Sequence, residues 1–298
     1  MARRHPILRG FLISAGVALV LLVLVVGLAA LVGGGLSDRF SLGKSIGLLE
    51  LRGVITDAGD AIEALDRFRK NDNTVAVVLR IDSPGGAVAP SQELYDAVWR
   101  VREAKKPVIA SLGNVAASGG YYVASAADTI FADPGTITGS IGAIMSVRQV
   151  AELAQKVGVS EQVVKSGRFK DAGNPLRPLS SEERALFQEM VDDVLTQFVM
   201  AVAKGRDMNE TDVRQLADGR IYSGAAAHRV GLVDRLGGLT AALEVAWRDA
   251  GQEGEPRVTR VRGQRRMWWL DLLGQAFLPE SSGLPGGLFY LYQGPVLE

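Results

Sequence analysis

The chain has 298 residues, no cysteine, two histidines, and 33 basic side chains that balance 33 acidic ones. Without a thiol, the sequence excludes a cysteine nucleophile, a disulfide framework and a thiolate zinc site, and its zero net charge excludes a general attraction to nucleic acid. Only His228 lies beyond the apolar N-terminal region, which argues against a multi-histidine metal site, and we expect neither a metal nor a cofactor.

The first predicted element is a membrane span. Residues 10–37 carry no charge, and the run FLISAGVALVLLVLVVGLAALVGGG exceeds the roughly 20 apolar residues that cross a bilayer. It is also longer than the apolar stretch of a secretory signal peptide, about 7–15 residues. Three arginines precede it, so the positive-inside rule keeps residues 1–9 in the cytoplasm. We expect a single-pass, uncleaved signal anchor at 10–36 with the main domain extracytoplasmic; a cleaved signal peptide and a buried core helix are the alternatives.

From Lys44 onward, strand patterns alternate with helix patterns. The predicted strands cover 45–55, 75–82, 107–113 and 129–133, and the predicted helices cover 57–70, 91–105, 118–127, 180–205 and 239–251. Ser180, followed three residues later by Glu183, forms a capping-box pattern at the start of the fourth helix. Apolar strands that alternate with helices predict an α/β fold with a parallel sheet, in which sites gather at the carboxyl ends of the strands.

The tail at 255–298 has a different composition. Five arginines precede the segment MWWLDLLGQAFL, and a Pro/Gly-rich end follows. Three interpretations remain open: an amphipathic segment that packs on a neighbouring subunit, a segment that lies on the membrane surface, and a poorly ordered tail. His228, in SGAAAHRVGLVD, is predicted to be a surface helix residue and not a catalytic one.

Two loops that each follow a predicted strand are candidates for chemistry. In Asp82-Ser83-Pro84-Gly85-Gly86, the paired glycines leave backbone N–H groups unobstructed by side chains, as an oxyanion hole requires. The alternative is that these residues form an ordinary turn. In the second loop, Asn114 to Tyr122, Ser118 stands among small residues at a strand-to-helix junction. It is a candidate nucleophile or, alternatively, a helix N-cap.

A third loop, Lys165 to Asp171, contains lysines next to glycine and serine. A serine nucleophile needs a base, and with histidine scarce, lysine is the available type. A free lysine, with a pKa of about 10.4, is protonated at neutral pH, and burial without a counter-charge favours the neutral amine. The alternative is a solvated lysine, and Asp171 beside it would hold the amine charged.

Four motifs in register carry a family resemblance: IDSPGG, NVAASGGYYVASAAD, GTITGSIGAI and VKSGRFKDAGNP. Together with KGRDM, ADGRIYSG and GLVDRLGG further on, they resemble the signal peptide peptidase A (SppA) family of membrane-anchored Ser-Lys proteases. The resemblance covers about residues 45–250 and implies a ClpP/crotonase-like fold of repeated ββα units.

The resemblance also implies roles for individual residues. Ser118 is the nucleophile, Lys170 is the general base, and Ser140 orients the lysine amine by a hydrogen bond. In this family the lysine reaches the serine of a neighbouring domain or protomer. A chain with one catalytic domain is therefore expected to form a homo-oligomer whose sites are completed between protomers.

The implied oxyanion donors are the N–H groups of Gly86 and Gly119, with Gly85 as a further candidate. The implied activity is hydrolysis of remnant signal peptides at the cytoplasmic membrane after their release from preproteins. The alternatives are a related ClpP-like membrane protease that acts on another membrane protein, a crotonase-like acyl-CoA enzyme, and an inactive scaffold.

Overall fold

A computed structural model of the chain describes residues 16, 19–21, 43–262 and 289–291. The chain divides into two units, 1–44 and 45–298. In the first unit, Gly16 and residues 19–21 are helical and exposed, and most of the predicted anchor lies outside the described residues. None of the helices in the described part of the chain combines the length and the apolar character needed to cross a bilayer.

The second unit is built on strands in two sheets. The strands are β1 (Ser45–Arg52), β2 (Thr74–Ser83), β3 (Gly85–Ala87), β4 (Val108–Ala117), β5 (Thr129–Ala132), β6 (Ile137–Gly139), β7 (Ile221–Ser223), β8 (Arg235–Leu236), β9 (Val258–Arg262) and β10 (Phe289–Leu291). The main sheet runs β7-β6-β4-β2-β1-β9, with β5 and β8 branching from β4. All of its pairings are parallel except that of β6 with β7. The second sheet pairs β3 with β10 in antiparallel fashion.

Eight helices connect these strands within residues 43–262. They are α1 (Gly59–Lys70), α2 (Val88–Glu103), α3 (Gly119–Ser125), α4 (Ala151–Lys156), α5 (Ser181–Arg206), α6 (Glu210–Leu216), α7 (Gly224–Arg229) and α8 (Leu239–Asp249). The longest, α5, begins with the predicted capping box, in which the Ser180 hydroxyl accepts from the Glu183 N–H and the Glu183 carboxylate accepts from the Ser180 N–H.

Both faces of the main sheet are buried, which explains why its strands read as continuous apolar runs. On one face, Leu49, Leu79 and Leu112 join a large cluster with α1, α2, α3 and α5. On the other, Leu48 and Val78 pack against α8 in a smaller cluster. Alternate residues of each strand therefore enter different cores, as the two-residue period of a strand requires.

The central strand β4 is shared between two partners on one side. Its first half pairs with β5, and its second half, Val115–Ala117, pairs with β6. On the other side β4 pairs with β2, with a register shift between Ile81 and Ser83. The Asp82 carboxylate bridges this irregularity by accepting a hydrogen bond from the Val115 N–H at 3.2 Å. The carboxyl ends of β2, β4 and β6 therefore meet at one edge.

The predicted strands and helices are present, with ends that differ by a few residues, and the mixed α/β architecture with its largely parallel sheet fits the ClpP/crotonase-like fold. The structure adds elements that the sequence patterns did not indicate. In the tail, Val258–Arg262 forms the edge strand β9 beside β1, and Phe289–Leu291 forms β10. These two tail segments belong to the sheets, a position that none of the three interpretations of the tail anticipated.

Candidate active site

Ser118 occupies a sharp turn between β4 and α3. Its backbone has φ +53° and ψ −118°, a conformation that non-glycine residues rarely adopt. The Ser118 N–H donates to the Gly139 carbonyl at 2.8 Å, and the Ser118 carbonyl accepts from the Tyr122 N–H at 2.8 Å. The residue is 1% exposed and does not cap α3 with its hydroxyl. A strained, overdetermined backbone at a buried serine is typical of a functional site and disfavours the N-cap interpretation.

Ser140 lies next to Ser118 because of the strand register. β4 and β6 are parallel, and Ala117 is paired with Gly139, so the two serines each follow the last residue of neighbouring strands. Ser140 also has a positive φ, +50°, and its N–H donates to the Arg220 carbonyl at 2.9 Å. The fold thus brings together two serines that are 22 positions apart in the sequence.

The backbone of β3 has an N–H group at Gly86 that Ile55 does not use. On one side of β3, the Gly85 carbonyl accepts from the Ile55 N–H and the Ala87 N–H donates to the Ile55 carbonyl, both at 2.8 Å. Since backbone groups alternate along a strand, the Gly86 N–H faces the opposite side, toward β10. The Gly85 N–H is bound to the Ser83 hydroxyl at 3.1 Å. This geometry favours Gly86 over Gly85 as a donor.

Gly119 packs against this same edge. A Cβ atom at Gly119 would lie 3.1 Å from the Gly86 nitrogen and 2.6 Å from the Ser91 hydroxyl oxygen. Its N–H belongs to the first residue of α3, directly after Ser118. The two N–H groups and the serine therefore meet in one small region, where only glycines allow so close an approach.

Lys170 is not part of this cluster within the single chain. It is exposed, in a series of turns between α4 and α5, and its N–H donates to the Gly167 carbonyl. No hydrogen bond or ion pair joins its side chain to Ser118 in the part of the chain that the structure describes. The structure therefore brings Ser118, Ser140, Gly86 and Gly119 together and leaves Lys170 apart.

The carboxylate of Asp171 binds other cations. It pairs with Lys165 at 2.5 Å and with Arg177 at 3.0 Å. The Lys165 hydrogen bond, followed by that of Arg177, lowers the pKa of Asp171 below its ordinary value. Arg177 continues to Glu183 at 2.5 Å, at the start of α5. This ion-pair chain organises the loop, and it occupies the carboxylate that the sequence suggested would hold Lys170 charged.

An apolar surface surrounds the lysine loop. From residue 144, through α4, to the start of this loop, the exposed large apolar side chains are Ile144, Val150, Leu153, Val157, Val159, Val163 and Val164. Helix α4 has no buried residue, and Val164 is 100% exposed. An open cavity of about 350 Å³ lies between α4 and the turns that contain Asp171. An apolar face of this kind in a single chain is typical of a surface that a partner covers.

Sequence reasoning did not find the aromatic cluster beside the glycines. Tyr95, Tyr122, Phe198 and Tyr290 come from α2, α3, α5 and β10, and their rings meet at centroid distances of 4.7–5.1 Å. No local motif marks residues so far apart in the chain.

His228 is exposed on α7, as predicted, and its Nδ1 lies 3.0 Å from the Val233 carbonyl oxygen.

Known proteins match the part of the chain that contains these residues. The profile of peptidase family S49 matches residues 100–253, a range that contains Ser118, Ser140 and Lys170. The chain is 43% identical to a candidate protease of Synechocystis sp. over 67% of this chain and 72% of that protein. It is 37% identical to a candidate signal peptide peptidase SppA of Enterococcus faecium, over 67% of this chain and 62% of the relative.

A chloroplast serine protease, SPPA of Arabidopsis thaliana, is 35% identical over 76% of this chain, an alignment that spans 33% of the plant protein. The long relatives therefore contain much sequence that this chain does not match. The family profile, the extent of the Synechocystis match and the convergent serine and glycines lead to one conclusion: the chain belongs to peptidase family S49, the SppA family, and is a serine peptidase.

Proposed function

We propose that this serine peptidase hydrolyses peptide bonds with a Ser118–Lys170 dyad that is completed between two copies of the chain. The observation that carries the proposal is the convergence of Ser118, on a strained turn, with the N–H groups of Gly86 and Gly119. Two backbone donors beside a nucleophilic hydroxyl are the elements that stabilise a tetrahedral oxyanion in acyl transfer.

The exposure of Lys170 supports completion of the site by a second copy. The lysine lies in a loop next to the exposed apolar surface of α4 and residues 144–164, which a neighbouring chain would cover. Covering that surface removes water around the amine and so favours its neutral form, which a general base must have. Ser140, adjacent to Ser118, is placed to bond an arriving amine and orient it.

The reaction follows from these parts. The neutral amine of Lys170 takes the proton of the Ser118 hydroxyl, and the serine oxygen forms a bond with the substrate carbonyl carbon. Gly86 and Gly119 donate to the oxygen that becomes negative. As the C–N bond breaks, the lysine ammonium returns its proton to the departing amine. Water then attacks the acyl-enzyme with the lysine again as base, releases the carboxylic acid and regenerates the serine.

The proposed setting is the outer face of the cytoplasmic membrane, with residues 10–36 as the anchor and remnant signal peptides as substrates. The uncharged run at 10–37 supports the anchor, and the name of the Enterococcus relative supports the substrate class. A protease held at the bilayer surface meets apolar peptides left in the membrane. An extended peptide also suits a site lined by glycines and alanine, which admit a main chain closely.

The test uses the full chain in detergent with a fluorophosphonate label and a fluorogenic peptide. Ser118→Ala should abolish labelling, and Lys170→Ala should lower kcat by on the order of 10⁴-fold while the thermal unfolding temperature is kept. Lys165→Ala, at the neighbouring lysine that pairs with Asp171, should retain most activity.

Two results would contradict the proposal. Labelling of the Ser118→Ala protein would show that another residue is the nucleophile. Loss of turnover in Lys165→Ala together with normal turnover in Lys170→Ala would show that Lys165, and not Lys170, is the base. In addition, kcat should increase as the pH rises toward the pKa of the Lys170 amine, because only the neutral amine accepts a proton.

A further inference from the structure

Two buried serines outside the proposed dyad lie against the two candidate oxyanion donors. Ser83 is the last residue of β2 and is 1% exposed, and Ser91 is in the first turn of α2 and is 0% exposed. Neither hydroxyl takes part in the proposed reaction. A hydroxyl withdrawn from water costs free energy unless it is hydrogen-bonded, so the bonds that these two form show which parts of the backbone they hold.

Ser83 closes the turn that leads to Gly86. Its hydroxyl accepts a hydrogen bond from the Gly85 N–H at 3.1 Å and lies 3.4 Å from the Gly85 carbonyl oxygen. Gly85 has φ +102°, a conformation that residues with a side chain rarely adopt, and Pro84 before it has no N–H to donate. The Ser83 side chain therefore holds a short turn around Pro84, and the direction of the Gly86 N–H depends on that turn.

Ser83 also lies close to the start of α3. It is paired with Ala116 across β2 and β4, just after the register shift. A Cβ atom at Gly120 would lie 2.8 Å from the Ser83 carbonyl oxygen and 3.4 Å from the Ser83 Cβ. Gly120 directly follows Gly119, so Ser83 adjoins both the turn that carries one donor and the helix that carries the other.

Ser91 adjoins Gly119 itself. A Cβ atom at Gly119 would lie 2.6 Å from the Ser91 hydroxyl oxygen. The same hydroxyl donates to the Ala87 carbonyl at 2.9 Å, and Ala87 is the last residue of β3, directly after Gly86. This hydrogen bond fixes the hydroxyl, and the fixed hydroxyl limits the movement of the Gly119 backbone. Ser91 therefore connects the end of β3 with the start of α3.

We propose that Ser83 and Ser91 are positioning residues of the oxyanion hole, which hold the N–H groups of Gly86 and Gly119 where a tetrahedral intermediate needs them. The inference rests on the proposed function of Ser118 and deepens it. The two serines act through the glycines and do not touch the substrate. Oxyanion donors are effective because they are fixed before charge develops, so a small displacement weakens transition-state stabilisation more than it weakens substrate binding.

Ser83→Ala and Ser91→Ala test the two hydroxyls with a fluorogenic peptide. Each should lower kcat by about 10- to 100-fold and change KM by less than about threefold, because the donors remain but lose their fixed positions. Ser83→Thr retains an oxygen that can accept from the Gly85 N–H, so it should keep more activity than Ser83→Ala.

Ser125→Ala is the matched control for the loss of a buried hydroxyl. Ser125 is 0% exposed on α3, and its hydroxyl also donates to a nearby backbone carbonyl, that of Tyr122, at 2.7 Å. It holds neither donor, so Ser125→Ala should retain a kcat close to that of wild type. Thermal unfolding and the total extent of fluorophosphonate labelling give the folded fraction of each variant.

A peptide aldehyde separates positioning from a general loss of structure. The Ser118 oxygen bonds to the aldehyde carbon, the serine proton passes to Lys170, and the aldehyde oxygen becomes an oxyanion between the two donors. The corresponding peptide alcohol binds without forming that oxyanion. Ser83→Ala and Ser91→Ala should weaken inhibition by the aldehyde by roughly 10- to 100-fold, in parallel with kcat, and leave inhibition by the alcohol nearly unchanged.

The results distinguish this inference from the proposed function. Wild-type kcat and wild-type aldehyde affinity in either alanine variant would overturn the inference for that serine. Equal losses of aldehyde and alcohol affinity, or an equal loss of kcat in Ser125→Ala, would show a general loss of structure and would overturn it as well. Labelling of the Ser118→Ala protein, in contrast, would overturn the assignment of the nucleophile whatever the serine variants show.

Discussion

Gly86 shows how closely the active-site edge is packed. A Cβ atom there would lie 2.0 Å from the Ile55 carbonyl oxygen, an atom held in place by the Ala87 N–H at 2.8 Å. The conflict is with the backbone of Ile55, which forms an isolated β-bridge with Gly86, so it cannot be relieved by rotating a side chain. The N–H of the same residue faces β10, and its nitrogen would lie 3.1 Å from a Cβ atom at Gly119. Glycine at this position therefore serves both the fold and the site.

Gly86→Ala should lower kcat by about 100-fold or more, because moving the β3 backbone misplaces an oxyanion donor. It should also destabilise the protein by roughly 1–3 kcal/mol through overpacking. Gly135→Ala is the matched control, since a Cβ atom there meets nothing within 4 Å and the site is exposed. Activity assays with urea unfolding check both effects, and a fully active Gly86→Ala protein would disprove the assignment of this donor.

Helix α5 and the lysine loop are tied together by one carboxylate. Glu183 accepts from the Ser180 N–H at 2.9 Å in the capping box and from Arg177 at 2.5 and 2.8 Å. Arg177 in turn binds Asp171, one residue after Lys170. The helix start is therefore a fixed support for the loop that carries the proposed base, although no part of this network touches Ser118.

The stability of this support should depend on pH in the acid range. The hydrogen bonds from Arg177, and then that from the Ser180 N–H, lower the pKa of Glu183 from 4.5 to about 2. Because the folded-state pKa is the lower one, the stabilisation is complete above pH 4.5 and is lost as the pH falls toward 2.

Urea unfolding of wild type and Glu183→Gln at several pH values tests this dependence. Glu183→Gln should be less stable at pH 7, and the difference between the two proteins should shrink between pH 4.5 and 2. A difference in the free energy of unfolding that stays constant across that range would show that the Glu183 charge has no role. Glu182→Gln, at an exposed first-turn carboxylate that faces Arg168, is the control and should show a much smaller change.

At the level of the whole molecule, the predicted site residues lie in two separate places, one buried and one exposed. Ser118 and the glycines lie at the carboxyl edge of the sheet, whereas Lys170 lies beyond α4 among exposed apolar side chains. A homo-oligomer that buries these side chains would join the lysine of one copy to the serine of the next. The proposed enzyme is then active only when assembled.

Mixing two inactive variants tests this arrangement. Ser118→Ala and Lys170→Ala, dissociated, combined in equal amounts and reassembled, should regain about a quarter of wild-type activity, because random pairing joins an intact serine to an intact lysine at that frequency. Mixing Lys170→Ala with the Ser118→Ala/Lys170→Ala double variant is the control and should stay inactive. Assembly, measured by light scattering, without recovery of activity would exclude sites shared between copies.

The local patterns of the sequence were sufficient for much of the fold. Apolar runs predicted β1, β2, β4 and β5, and amphipathic periodicity with the Ser180–Glu183 box predicted α5. These features depend on neighbouring residues, whose side chains decide burial and capping over a few positions. Pairings such as that of β9 with β1 join segments about 200 residues apart, and no short-range pattern in the sequence predicts which distant strands will pair.

The same division holds for the candidate site. Composition excluded cysteine and all but one histidine from the main domain, and the family resemblance predicted roles for Ser118, Ser140, Lys170, Gly86 and Gly119. Tertiary structure decided that Ser118 and Ser140 are neighbours, since that follows from the register of β4 and β6. It also decided that Phe289–Leu291 lies on β3 with a tyrosine buried between α3 and α5, because main-chain pairing and an aromatic pocket exist only once distant elements have packed together.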